Sequence, residues 1–230
     1  MFKTLAATAA LAATIAGVAV VTASPAAAEE TVCKVTAKVP NVKVTSRARL
    51  VHATLVKDCG AKISIWEIHN ASGLSGYLYF EDGDTYSGVV PVLDSVRMGR
   101  QTLVGMGAAD NVDADVPNLE QENGSFLIKL GSAGTFSATR SGAYVTTAGT
   151  VKRYNVSKHA YAPFSGAKVV VQARATTTVP WKQLGSFTTS STGVVAKHKW
   201  TSTQSKNRYF RMVVVETSIV WGTTTAALKR

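Results

Sequence analysis

Acidic side chains are nearly missing from residues 135–230, where Glu216 stands alone against 14 Lys and Arg, a net charge of +13. Residues 29–134 carry 10 basic and 13 acidic side chains, a net charge of −3. The 230-residue chain as a whole is +11. So sharp a split suggests two units, and it makes the second a candidate for holding a polyanion. Catalytic motifs are missing too. The four histidines, His52, His69, His159 and His198, are far apart, and none has a His-Glu-x-x-His spacing. Ser75 lies in Gly73-Leu74-Ser75-Gly76, which is not a nucleophile elbow. Glu67, beside Trp66, has no identifiable second carboxylate at glycosidase separation. The expectation is a non-enzyme with no cofactor, although a triad assembled in space stays open.

Long apolar runs are absent after residue 28. Before it, Lys3 precedes an apolar stretch over residues 5–21, and Ala26-Ala27-Ala28 offers a small-residue cleavage site ahead of Glu29. This pattern reads as a secretory signal peptide over residues 1–28. An uncleaved anchor is the competing reading, since the run sits at the lower length limit for crossing a bilayer. The cleavage site favours removal. The expected mature protein is secreted, extracellular or associated with the cell wall, and has no membrane span.

Cysteine is limited to Cys33 and Cys59. Without a Cys-x-x-Cys pair a redox centre is disfavoured, and export favours a structural disulfide. Alternation puts Cys33 with Val35, Ala37 and Val39, and Cys59 with Val51, Ala53 and Leu55, so both thiols are expected on apolar strand faces.

No long segment repeats with helical periodicity. Short β-branched or aromatic runs appear instead, at residues 32–39, 50–57, 62–69, 76–80, 102–106, 125–130, 135–139, 144–153, 168–174, 183–188, 194–200, 209–215 and 218–221. Asp82-Gly83 is a hairpin signal. Residues 89–100 and 108–123 read as irregular, the second with room for a short helical turn. Small residues at Gly131-Ser132-Ala133-Gly134, where the charge balance flips, mark a seam.

Past that seam, Phe136-Ser137-Ala138-Thr139-Arg140-Ser141-Gly142 and the stretch from Val145 through Gly149 to Tyr154 resemble the opening of bacterial Ig-like domains of secreted actinobacterial proteins. The likeness continues through Gly166–Gln172, Trp181-Lys182-Gln183-Leu184, Thr188-Thr189 to Gly193, and Arg208-Tyr209-Phe210-Arg211-Met212. The resemblance implies a seven-stranded sandwich acting as an adhesive, spacer or accessory module, with no catalytic residues. Residues 29–134 are similar only in general style. The expected fold class is all-β, with two Ig-like β-sandwich domains in tandem after the signal peptide, the first at 29–134 and the second at 135–230.

Alternation turns Lys168, Arg174 and Arg211 outward in the second domain. In the Ig-like strand order they share a sheet and form one positive face, with Lys182, Lys206 and Arg208 at its margins. Lys197 and Lys199 add charge on another strand. The candidate ligand is an anionic wall polymer, teichoic acid or acidic polysaccharide. The competing readings are a solvated surface and docking of acidic protein. Specific nucleic-acid binding is disfavoured, because no aromatic platform is interleaved with the cations; Trp200 and Tyr209 read as core residues. Trp181, after Pro180, is a candidate for stacking on a sugar or for packing. In the first domain Asp110, Asp113 and Asp115 form a weak calcium candidate, lacking the glycine and final glutamate of an EF-hand loop. Loops 89–100 and 108–123 are candidate contacts for another secreted protein, the alternative function.

Overall fold

The computed structural model describes residues 33–82, 87–111, 117–201 and 208–230. The expected signal peptide and Gly83, Asp113, Asp115 and Lys206 lie outside these residues. The first half contains β1 (Lys34–Lys38), β2 (Val42–Val44), β3 (Ala48–His52), β4 (Thr54–Lys57), β5 (Ile63–Asn70), β6 (Gly73–Glu81), β7 (Val89–Leu93), β8 (Gly99–Ala109), β9 (Glu120–Glu122) and β10 (Gly124–Leu130). The second contains β11 (Ser132–Ser141), β12 (Tyr144–Asn155), β13 (Ala160–Pro163), β14 (Lys168–Arg174), β15 (Lys182–Thr188), β16 (Val194–Thr201), β17 (Tyr209–Val214), β18 (Thr223–Thr224) and β19 (Leu228–Lys229). The fold is all-β. No helix among the described residues is long and apolar enough to cross a membrane.

Period-2 patterning explains the layers. In β5, Ser64, Trp66 and Ile68 are buried while Ile63, Ile65 and Glu67 are half-exposed. This strand lies inside a five-stranded sheet ordered β2-β10-β8-β5-β6. Its inner face packs on the sheets β4-β1-β9 and β3-β7, which contribute Val35, Ala37, Val51, Val90 and Val92. Trp66 is fully buried, meets Phe80 edge-on at 5.9 Å, and donates its indole N–H to the carbonyl of Glu122 at 3.2 Å.

In the second half, β16 pairs with β12 of the sheet β11-β12-β13. Facing it is the sheet β15-β14-β17-β18, with β19 on β17. Val169, Val171 and Ala173 of β14 and Phe210, Met212 and Val214 of β17 point inward, meeting Ala138, Val145 and Val151. The alternate residues of β14 and β17 therefore face out.

Several expectations need correction. Residues 89–100 begin with β7, which pairs with β3 and tolerates Pro91 because the ribbon is only two strands wide. Of residues 108–123, 112–116 lie outside the described residues, and the described part is not wholly irregular: it contains the end of β8 and β9, parallel to β1. The 3-10 turn lies at Val156–Lys158, capped by the Asn155 side chain. The Asp82-Gly83 turn extends outside the described residues; on its flanks Gly88 N–H donates to the Tyr79 carbonyl at 2.8 Å, while β6 pairs with β5 and β7 with β3. Residues 218–221 supply only one bridge, Val220 to Leu130. The disulfide is formed, with Cα atoms 5.9 Å apart. Yet Cys33 precedes β1 and is exposed, and Cys59 sits in a turn at φ 54°, so the bridge lies at the edge of the core rather than on two inner faces.

Only Gly131 separates β10 from β11, so the expected seam residues Ser132, Ala133 and Gly134 belong to a strand of the second half. Residues 33–230 form one compact unit. Lys129 on β10, nearly buried, places its ammonium 2.6 Å from the Glu216 carboxylate, donates to the Thr217 carbonyl at 2.9 Å, and lies 4.9 Å from the Trp221 ring centre. Trp221 in turn donates to the Val42 carbonyl at 2.9 Å.

Candidate anion-binding site

The Lys129 contact shapes the electrostatics of the second half. Glu216 is its one acid after residue 134, and Lys129 of the first half engages it. Among the described residues, no ion pair involves Lys168, Arg174, Lys182, Lys197, Lys199, Arg208 or Arg211.

The strands β14 and β17 are hydrogen-bonded neighbours, with Gln172 opposite Arg211 and Arg174 opposite Tyr209. This register gathers Arg174 and Arg211 on the outer face. The Arg211 guanidinium carbon lies 4.1 Å from the Trp181 ring centre and that of Arg174 lies 4.4 Å from it; Arg174 is also 5.7 Å from the Tyr209 ring. Such stacking suits a weakly hydrated planar cation. Arg211 Nε donates to Gln172 Oε1 at 2.8 Å, and Arg174 Nη1 donates to the Thr177 carbonyl at 2.7 Å. Partial burial, then the neighbouring Arg174 charge, lowers the pKa of Arg211. Both effects disfavour the charged form.

The other candidates are distributed less tightly. Lys182 opposes Ala173 across β14 and β15, and Arg208 precedes β17 beside Tyr209, so both sit at the Arg174 end of the sheet. Lys168 is on the same strand face as Arg174 but six residues away, about 20 Å along an extended strand, opposite Thr188. Lys197 and Lys199 are on β16, in the other sheet, where Lys199 lies 3.8 Å over the Tyr144 ring. The structure thus brings Arg174 and Arg211 together on the outer face, places Lys182 and Arg208 at the same end of the sheet, and leaves Lys168, Lys197 and Lys199 apart. Trp181 is half-buried, and the ring face that the guanidiniums cover is not available to a sugar. Tyr209 is half-exposed on the outer face rather than in the core. Trp200 is half-buried, donating to Thr147 at 2.8 Å and contacting the Phe187 and His198 rings.

Of the calcium candidate, Asp110 accepts from Asn118 Nδ2 at 2.8 Å. No group of three or more potential metal-ligating side chains occurs among the described residues. Glu67 faces out and contacts His69 Nε2 at 2.6 Å.

A polar cluster that alternation does not reveal joins the halves. The buried Asp94 carboxylate accepts from Tyr154 Oη at 2.8 Å and contacts His159 Nδ1 at 2.6 Å. Hydrogen bonding from His159 holds Asp94 below the usual carboxylate range, against the opposing effect of burial. Burial, followed by the Asp94 hydrogen bond, pushes Tyr154 up to about 12. Asp94 follows β7 and His159 follows the 3-10 turn, so no sequence spacing brings them together. The only sequence signal is an acid placed directly after a strand of alternating apolar residues.

No known protein family matches the chain, and no curated protein matches it. Solved structures do show a distant likeness. Trypsin-activated α2-macroglobulin from Escherichia coli aligns with 86% of this chain and 15% of its own, at 10% identity and a TM-score of 0.30. Salmonella α2-macroglobulin reacted with methylamine aligns with 81% and 14%, at 11% identity and a TM-score of 0.34. The chain therefore spans a small part of either protein.

Proposed function

We propose that this is a secreted, non-catalytic binding protein, held at the cell envelope by electrostatic contact of its basic second half with an anionic wall polymer, teichoic acid or acidic polysaccharide. The observation that carries this reading is the cluster of Arg174 and Arg211 on adjacent strands, stacked on Trp181 and unpaired with any carboxylate among the described residues. Cations crowded at a surface without counterions favour a polyvalent anion, because each contact releases condensed counterions, as in nucleic-acid complexes. The test is retention of the full chain on immobilised wall teichoic acid and on heparin across a salt series. Retention should fall steeply with salt. The double variant R174Q/R211Q should weaken it more than K197Q/K199Q, which alters the same charge on the other sheet. Salt-independent retention, or none at low salt, rejects the reading.

The alternative, contact with another exported protein, is favoured by one observation. On the outer face of the β3–β7 ribbon, Leu50 and Leu93 are 63% and 55% exposed beside Pro91. Recovery of a stoichiometric partner from culture medium, abolished by L50E/L93E, would support it. No stoichiometric partner, or one still recovered by that variant, counts against this surface.

A further inference from the structure

At one end of the β15-β14-β17-β18 sheet a cleft of about 230 Å³ opens between apolar walls that include Val179, Pro180 and Leu184. Arg174, Lys182 and Arg208 line it, each from a different place in the chain. Register brings them to one end of the sheet: Lys182 opposes Ala173, and Tyr209, the residue after Arg208, opposes Arg174. Three basic side chains therefore line one site with no acid among the described lining residues. Arg174 Nε and Arg208 Nε are both buried and have no hydrogen-bond partner. A buried cationic donor left unpaired is costly, and two of them flank a cleft where a bound anion would offset that cost.

We infer that this cleft binds a phosphomonoester, such as the phosphorylated end of the anionic polymer, in preference to a carboxylate. The inference rests on the polymer reading above and narrows its ligand class. A phosphomonoester presents three strong acceptor oxygens and about −1.5 to −2 charges near neutral pH. Those oxygens point in three directions and suit basic side chains arriving from β14, β15 and the segment before β17. A carboxylate offers two oxygens in one plane and a single charge, enough for one guanidinium fork. The apolar walls lower the local dielectric and strengthen each contact. Arg174 also touches Trp181, so the cleft is continuous with the Arg211 cluster on the outer face.

Glycerol 3-phosphate and glycerate are suitable probes, being close in size and differing in the anionic group. Calorimetric titration of the full chain at fixed ionic strength should give glycerol 3-phosphate an affinity about tenfold or more above that of glycerate, the effect of one additional charged hydrogen bond. R208Q and K182Q should each reduce the preference towards parity, with an unchanged urea midpoint showing that the fold is intact. R211Q should retain the preference while weakening polymer retention. Equal affinities for the two probes, or a preference unaffected in both R208Q and K182Q, overturn the inference. Selective phosphomonoester binding without polymer retention upholds the cleft and rejects only the envelope reading. Polymer retention with equal probe affinities does the reverse.

Discussion

Asp94 shows how one side chain can set the pH limits of a fold. Its pKa is lowered, chiefly by hydrogen bonding from His159, so its contribution to stability is complete above the ordinary carboxylate range. It is lost as pH falls through the lowered folded value. Tyr154 titrates in the opposite sense. Its contribution is complete below the ordinary tyrosine range and is lost as pH rises through about 12. Urea unfolding of the wild type should therefore show a midpoint that drops on acidification, and D94N should drop less over the same interval. Y154F should flatten the alkaline limb. A D94N acid profile that matches the wild type would remove Asp94 as the cause. At Trp181, alanine replacement takes away the surface on which Arg174 and Arg211 stack. Polymer retention should fall about two- to tenfold in W181A, the range of one or two exposed cation–π contacts.

Among elements, β1 depends most on covalent help. It is five residues long and is held by β4 and by the three-residue β9. The Cys33–Cys59 bond closes a 26-residue separation across the β1–β4 pair. Replacing both cysteines with serine should cost about 3 kcal/mol on the chain-entropy account, measured by urea unfolding with and without reductant. The wild type should shift to the variant's midpoint when reduced. The strand β10 carries a different liability. K129A removes a nearly buried ammonium that pairs with Glu216 and the Thr217 carbonyl, and should cost about 1.5–3 kcal/mol, as for hydrogen bonds to charged groups. The strand β14 was the most legible element in the sequence. Lys168–Arg174 matches the expected run, because apolar residues alternate with polar ones on a strand with one buried face. The strand β7 was hidden, because Pro91 and its short length mask a pairing that only β3, far away in the chain, makes possible.

For the whole molecule, one core cluster includes Val35 and Trp66 from the first half and Val151 and Val214 from the second. Lys129, Asp94 and Trp221 add polar contacts between the halves. A shared core of this kind should give a single calorimetric transition. W221A, which removes the hydrogen bond to Val42, should separate the halves towards two transitions. Two transitions in the wild type would show the halves to be independently stable.

Composition and alternation were enough to determine an all-β chain with its charge divided between two halves and one cysteine pair, because side-chain direction along a strand depends only on local geometry. Strand partners were a different matter. Pairing β14 with β17 brought Arg174 to Arg211, while assigning β16 to the opposite sheet removed Lys197 and Lys199 from that cluster. The capture of Glu216 by Lys129 and the meeting of Asp94 with Tyr154 and His159 likewise depend on contacts across 60 or more residues. Charge can be counted along a chain, but its concentration at a surface is set by register and by the packing of one half on the other.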